Sequence, residues 1–240
     1  GNTASGQRST VGGGLNNNVS ADRATIGGGE ANNASGVKAT IGGGESNIAS
    51  GARAAVSGGF SNTASGGFSF VGGGQRGKAY SYGQSSLASG QFSANGDAQV
   101  SQLISRREAD LTTGGTTTLH LNGSSINFSF DTANKAANIL AKWIAVVDSI
   151  SGTATGVSVG DVIAQDDLFL LKEVSGTMSI VGTVTNTATK NDTSQSTASM
   201  GYSVNASNEL VVTFTGATFS GGGTLTYRIV HRIIMVEVGF

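Results

Sequence analysis

The chain has no cysteine and no proline. Without Cys there is no disulfide framework and no thiolate metal site. Without Pro, turns fall to Gly, Asn, Asp and Ser. Charge is scarce and balanced: 14 Lys and Arg stand against 15 Asp and Glu, which argues against nucleic acid or an anionic membrane as partner. No apolar run approaches the roughly 20 residues of a membrane-spanning helix. The opening "GNTASGQRST" lacks the charged-then-apolar layout of a secretion signal. It begins partway through a repeat, so a fragment of a longer protein is expected. Only two histidines occur, His120 and His231, each beside apolar strand residues, where a core or interface role is expected. No cofactor or metal is expected.

What is present divides near residue 100. Residues 1–100 hold 24 of the 38 glycines and no Trp. A Gly triplet starts at Gly12, Gly27 and Gly42, recurs as "SGG" from Ser57 and returns at Gly72, a period of 15. Val11, Ile26, Ile41, Val56 and Val71 precede it, with Ser9, Ala24, Ala39, Ala54 and Ser69 two residues earlier. A further column runs Ala4, Val19, Ala34, Ala49, Ala64 and Ala79. Such registered columns are the signature of a solenoid. Alternation in "RATIG" turns Ala24 and Ile26 inward and Arg23 and Thr25 outward, and "NASG" supplies Ala34 and Gly36. Each fifteen-residue turn would stack about 4.8 Å above the last.

The core of such a roll is thin. One buried Val or Ile contributes roughly 1.5–3 kcal/mol, while ordering each residue costs about 1–2 kcal/mol of backbone entropy. A lone chain is poorly supported, and Ala, Ser and Gly suit backbones that approach closely. The units "NNASGVKATIGGG" and the later "AYSYGQSSLASGQFSANGDA" resemble YadA-like head repeats of trimeric autotransporter adhesins and phage tail fibres, over roughly residues 1–98. The resemblance implies left-handed parallel β-rolls intertwined in a homotrimer.

From residue 99 to 240 the pattern is antiparallel β. "AQVSQLISRREADL" is a link or first strand. "TTTLHLNG", "INFSF", "ILAKWIAVVDSI", "DLFLLKEV", "MSIVGTVTNTAT", "STASMGYSVN", "ELVVTFTG" and "LTYRIVHRIIMVEVGF" are strand candidates bounded by turn residues. In "NKAANILAKW" a short helix is weighed, and the β-branched residues that follow favour a strand. Eight or nine strands fit a sandwich of jelly-roll type. The module also resembles a β-domain that ends many phage tail-fibre and environmental virus proteins, through "LHLNGSSINFSF", the Trp143 strand, "LVVTFTG" and "TYRIVHRIIMVEV". The expected fold is all-β: a trimeric left-handed parallel β-roll, then an antiparallel β-sandwich tip. Phe240 ends an alternating apolar run like an outer-membrane strand, but Arg228 and Arg232 share that alternate face, and a soluble free tip is expected.

Several chemistries are excluded or weighed. No Asp recurs in the Gly-rich repeat, against a calcium roll, and no phosphate-cradling GxxxxGK[ST] string occurs. An outward Thr column, Thr10, Thr25 and Thr40, suggests ice binding but ends at Ala55 and Phe70. Beside it runs a cationic column, Arg8, Arg23, Lys38 and Arg53, read either as a solvated face or as a stripe for anionic polysaccharide. Tyr80 and Tyr82 join it as candidate ligand contacts. Lys190, Asn191 and Asp192 are taken from an expected loop, Asn186–Ala198, since loops on a rigid scaffold carry recognition. Glycan cleavage needs paired acids. The one cluster is Asp161, Asp166, Asp167 and Glu173, with Asp166 and Asp167 expected in a turn before "LFLL". The expectation is therefore a non-enzymatic, extracellular receptor-binding fibre, viral or bacterial, recognising a cell-surface glycan or protein without membrane insertion. A glycan-cleaving tailspike and a trimer-closing spacer are the alternatives.

Overall fold

The computed structural model describes residues 1–130 and 134–239, so the reading of Phe240 lies outside the described residues. The chain is all-β, with a single turn of 3-10 helix at Thr193–Gln195 among the described residues. It divides into two compact units: Gly1–Leu103 with Asn134–Ala137 and Met235–Phe240, and Ile104–Ala133 with Asn138–Ile234.

The first unit is a parallel β-solenoid of about six turns. Its strands are β1 (Thr3–Ala4), β2 (Thr10–Val11), β3 (Asn18–Val19), β4 (Thr25–Ile26), β5 (Asn33–Ala34), β6 (Thr40–Ile41), β7 (Ile48–Ala49), β8 (Ala55–Val56), β9 (Thr63–Ala64), β10 (Phe70–Gln75), β11 (Lys78–Ala79) and β12 (Ser85–Ser89). Odd-numbered strands form one ladder and even-numbered strands the other. The register advances by one repeat per step, as in Ile26↔Ile41 and Ala34↔Ala49. The columns of small and β-branched residues fill the space between the ladders: Ala24, Ile26, Ala34, Ala39, Ile41 and Ala49 are completely buried.

A column that the sequence reading passed over as turn residues runs through this core. Asn17, Asn32, Asn47 and Asn62 are buried, one per turn. Each side-chain amide donates to two glycine carbonyls, one in its own Gly triplet and one in the next turn; for Asn47 these are Gly43 O at 3.0 Å and Gly59 O at 2.9 Å. Each side-chain oxygen accepts the backbone N–H one turn on, as Asn47 Oδ1 does from Asn62 at 2.9 Å. The amide thus satisfies the own-turn glycine carbonyl and the next asparagine's N–H, which the two-residue strands leave unpaired, and adds a second donor to the next turn's glycine carbonyl. Its tightness explains the triplet's last glycine: at Gly44, with φ +84°, a Cβ would lie 2.2 Å from Gly59 O and 2.8 Å from Asn47 Nδ2.

The turns also depart from expectation. Left-handed φ occurs not only at Gly but at Arg8, Arg23, Lys38, Arg53 and Phe68, and at Asn16, Ala31, Ser46, Ser61 and Arg76. Such a conformation costs an L-residue roughly 1–2 kcal/mol. A backbone hydrogen bond to the previous turn offsets it, for example Arg23 N–H to Gln7 O at 2.8 Å and Ser46 N–H to Glu30 O at 2.9 Å.

The last solenoid strand, β12, pairs antiparallel with β13 (Ala98–Leu111), setting Leu87 opposite Val100 and Ser86 opposite Ser101. Here the usual sidedness of a sheet is inverted. The inward row is polar: Ser86, Ser101 and Glu237 are each 1% exposed. They sit in a network in which Gln84 Nε2 donates to Ser101 Oγ (2.9 Å), Gln99 Nε2 to Glu237 Oε1 (3.0 Å) and the Tyr80 hydroxyl to Glu237 Oε2 (3.1 Å). Lys135 Nζ, also buried, lies 3.7 Å from Glu237 and 5.0 Å from the centre of the Tyr80 ring. The outward row is apolar: Leu87, Val100 and Val236 are 61%, 47% and 53% exposed.

In the second unit β14 (Thr116–Leu119) pairs with β19 (Leu210–Thr215), and β19 with β18 (Ser199–Val204), all antiparallel. The other strands are β15 (Lys135–Gly152), β16 (Val162–Val174), β17 (Thr177–Asn191) and β20 (Gly223–Gly239), laid side by side as β17-β16-β15-β20-β13. The core joins these sheets through aromatic contacts: Trp143 to Phe214 (5.8 Å between ring centres) and Phe214 to Tyr227 (5.0 Å). "NKAANILAKW" is strand, as its β-branched continuation implied. "INFSF" is not a strand: it makes only the bridge Phe128↔Leu210 while Phe128 and Phe130 plug the core.

Candidate functional site

The cationic column stands as the repeat dictates. Arg8, Arg23, Lys38 and Arg53 occupy equivalent left-handed turn positions and are all exposed. Because such a turn projects its side chain away from the ladder, the column is solvent-facing whatever residue fills it. Neighbouring turns lie about 4.8 Å apart, so two unit charges held at that spacing in water repel by about 0.9 kcal/mol. An anionic polymer laid along the column relieves that repulsion. The column ends at Phe68, whose ring lies 5.0 Å from the Arg53 guanidinium and 5.3 Å from the Tyr82 ring. The structure therefore brings Arg53, Phe68 and Tyr82 into one cation–aromatic group. It separates Tyr80 from them, tying its hydroxyl to Glu237 in the polar network.

Lys190 and Asn191 close strand β17 instead of lying in the expected loop, and Asp192 follows, its Oδ2 accepting Val162 N–H at 2.8 Å. The reason is pairing: Thr189, Lys190 and Asn191 continue the ladder with Gln165, Ala164 and Ile163. Lys190 lines an open cavity of about 310 Å³ with Ala164, Gln165 and Asp166.

Asp166 and Asp167 are also in strand, not in a turn. As adjacent strand residues they face opposite sides of the sheet, and the register shift here places its extra residue, Thr187, on the partner strand β17. Asp166 stays half-exposed, paired with Lys142. Asp167 is buried and accepts Trp143 Nε1–H at 3.0 Å and the Tyr202 hydroxyl at 2.9 Å. The Tyr202 oxygen lies 3.3 Å from His231 Nε2, and His231 Nδ1 lies 3.1 Å from Ser105 Oγ. Since the tyrosine proton goes to Asp167, His231 carries its proton on Nε2 and accepts from Ser105. Burial drives the His231 pKa down to about 3, and burial with the adjacent Asp167 charge drives Tyr202 far up. His231, Asp167 and Ser105 are all buried, so the chain of hydrogen bonds is a closed core network. Glycoside hydrolysis needs two carboxyl groups roughly 5–9.5 Å apart; the open cavity offers one, Asp166.

Sequence reasoning also missed a second cavity of this unit, about 310 Å³, lined by Arg106, Arg107, Glu108, Gly123 and Arg228 through Val230. The signal available was "SRRE" alone, which reads as a solvated strand. Among the described residues no group of three or more His, Asp or Glu is placed to hold a metal, and no helix is long and apolar enough to cross a membrane.

No family model and no curated protein matches the chain. Among solved structures it is similar to the tailspike protein of Acinetobacter baumannii phage AM24, with 8% identity and a TM-score of 0.34, covering 94% of this chain and 50% of that one. It is also similar to tailspike protein gp49 of A. baumannii bacteriophage Fri1, described as a capsular polysaccharide depolymerase, with 10% identity and a TM-score of 0.27, covering 94% of this chain and 48% of that one. The chain thus spans about half the length of these tailspikes, and overlaps of this quality carry no mechanistic argument. The expectation of a non-enzymatic chain is nonetheless corrected by this finding, because one of the two neighbours is an enzyme by its description.

Proposed function

We propose that this chain is a segment of a homotrimeric fibre, outside the cell on a phage, another virus or a bacterium, that recognises a cell-surface glycan or protein. In this reading the solenoid is the left-handed YadA-like roll and the second unit the jelly-roll-like tip. The inverted sheet of the first unit carries the reading. An apolar row of Leu87, Val100, Val236 and Val238, with Phe92, borders an open groove of about 510 Å³ while charged and polar groups fill the inside. A sheet built that way is stable when other copies cover its outer face. Trimerisation repeats the Arg8–Arg53 column and the Lys190 cavity three times, so weak contacts sum by avidity.

Light scattering on the intact chain tests the assembly: a mass near three times 23.9 kDa is expected, and a monomer at all concentrations refutes the proposal. A glycan array then tests recognition, with binding expected to fall when Arg23 and Lys38 are both changed to Ala. Cleavage of the bound glycan is the second reading; toward it the open cavity supplies one of the two carboxyl groups, Asp166, beside Lys142 and Lys190. Release of oligosaccharides from capsule, lost in Asp166→Asn, would establish it.

A further inference from the structure

The cavity lined by Arg106, Arg107, Glu108, Gly123, Arg228 and Val230 has donors to spare. Arg228 is engaged by carboxylates outside or at the rim: its Nε donates to Glu108 Oε2 and its Nη1 to Asp148 Oδ1, both at 3.0 Å. Arg107 makes one weak donation, from Nη1 to Gly123 O at 3.4 Å, and its Nε is buried without a partner. The Arg106 guanidinium has no hydrogen bond or ion pair among the described residues. A guanidinium offers five N–H groups in a planar fork, so most of those on Arg106 and Arg107 are unspent. The lining holds three cations and one carboxylate, and that carboxylate is already taken by Arg228.

Charge alone would accept any anion; the shape is more selective. A volume of about 310 Å³ lies at the lower end of small-molecule sites and far exceeds a bare inorganic ion. Val230, 47% exposed, gives one wall an apolar surface suited to the C–H face of a sugar ring. Gly123, at φ +82°, passes beside Arg106, where a Cβ would make ordinary contact with its Nε at 3.5 Å. Planar carboxylates match the arginine fork in bidentate fashion. We infer that this cavity binds the carboxylate of an acidic sugar unit, making a uronate-containing polysaccharide the ligand class. The inference rests on the proposed glycan-recognising function.

The test is calorimetry on the intact chain at low salt. The probes are a hyaluronan tetrasaccharide, a tetragalacturonate, their carboxyl-reduced forms and inorganic sulfate. At least one acidic tetrasaccharide should bind and its reduced form should not. Arg106→Gln, which loses no internal contact, should weaken binding at least about tenfold, as expected for a charge-assisted pair. Arg107→Lys, which keeps the charge but loses the fork, should weaken it similarly. Unchanged affinity in Arg106→Gln, or sulfate binding as tightly as the tetrasaccharide, overturns the inference. Neither acidic tetrasaccharide binding while neutral glycans bind on the array overturns it and leaves the fibre reading standing. No glycan or cell binding by the wild-type chain overturns both.

Discussion

The asparagine column offers the sharpest test of how this solenoid stands. Asn47→Ala removes three side-chain hydrogen bonds, to Gly43 O, Gly59 O and from Asn62 N–H. Gly59 O keeps a second donor, Glu45 N–H at 3.0 Å, but the Asn62 N–H loses its acceptor in a position closed to water. An intramolecular hydrogen bond contributes about 0.5–1.5 kcal/mol net, and an orphaned buried group costs about 1–3 kcal/mol. The expected loss is therefore roughly 3–4 kcal/mol. For a chain of this size, about 2–4 °C of melting temperature corresponds to each kcal/mol, giving a fall on the order of 10 °C.

Asn47→Asp separates hydrogen bonding from shape. It keeps the acceptor for Asn62 but points a second oxygen at Gly43 O and Gly59 O. Its buried carboxyl would have a raised pKa, so the variant should be less stable than Asn47→Ala at pH 7 and recover as pH falls from the raised folded value to the ordinary carboxylate range, with no further gain below it. Asn18→Ala is the control: that side chain is exposed, its one contact is 3.4 Å from Asn33 Oδ1, and a change within about 0.5 kcal/mol is expected. Urea unfolding at fixed protein concentration reads all three, because an associating chain melts with a concentration dependence. A loss below about 1 kcal/mol in Asn47→Ala, or an Asp variant more stable than the Ala variant at pH 7, would refute the reasoning.

Three further outcomes follow. His231, held near pKa 3 against an ordinary 6.5, stabilises the chain while neutral. That stability is present above the unfolded value and is lost as pH falls toward 3, by up to about 1.4 kcal/mol per pH unit, and His231→Gln should flatten this acid slope in urea titrations. Burial raises the Glu237 pKa despite Lys135, so its contribution is greatest in acid and is lost as pH rises through the folded value. Glu237→Gln removes the carboxylate facing the buried Lys135 and disturbs the hydrogen bonds from Gln99 and Tyr80, and should cost about 3–5 kcal/mol in thermal melts. Leu87→Asp with Val236→Asp should lower the mass in light scattering without loss of β-sheet circular dichroism, since both side chains are exposed within one chain.

The repeat was legible because its chemistry is columnar: Ile26, Ile41 and Val56 must be apolar on every turn, and the eye finds them. The asparagine column was equally periodic, yet Asn is a turn residue in its own right, so its period read as punctuation. The left-handed turns were hidden for the opposite reason. Arg23, Ala31 and Ser46 share no residue type with one another, and only backbone hydrogen bonds across turns reveal why they tolerate positive φ. Strands β14 to β20 were legible as runs rich in Thr, Val, Ile and aromatics, several alternating with period two, β13 only as a link or first strand, and "INFSF" misled because its aromatics serve as a plug instead of a ladder. Asp166 and Asp167 were visible but read as a turn; once they are strand, alternation places Asp167 in the buried row of Phe169 and Leu171 and leaves Asp166 open. The Arg106–Arg228 cavity was out of reach, because Arg228 joins its neighbour Glu108 across 120 residues.

The inverted sheet shows the limit of alternation itself. "AQVSQL" gives two rows, Gln99, Ser101 and Leu103 against Ala98, Val100 and Gln102, and period two says only that they face opposite ways. The rule that apolar residues turn inward would bury Val100, yet Gln99 and Ser101 are the buried pair. Within one chain that choice is unfavourable, because it exposes Leu87, Val100, Val236 and Val238 and confines a charged pair, Lys135 and Glu237, where water is absent. It becomes favourable when the unit that folds is larger than the chain. The outer apolar row is then a shared core. The polar row fixes register within each copy, since Gln84, Gln99 and Glu237 meet all their partners in a single alignment. In the proposed trimer sidedness is a property of the assembly, and a rule calibrated on single chains would assign it backwards.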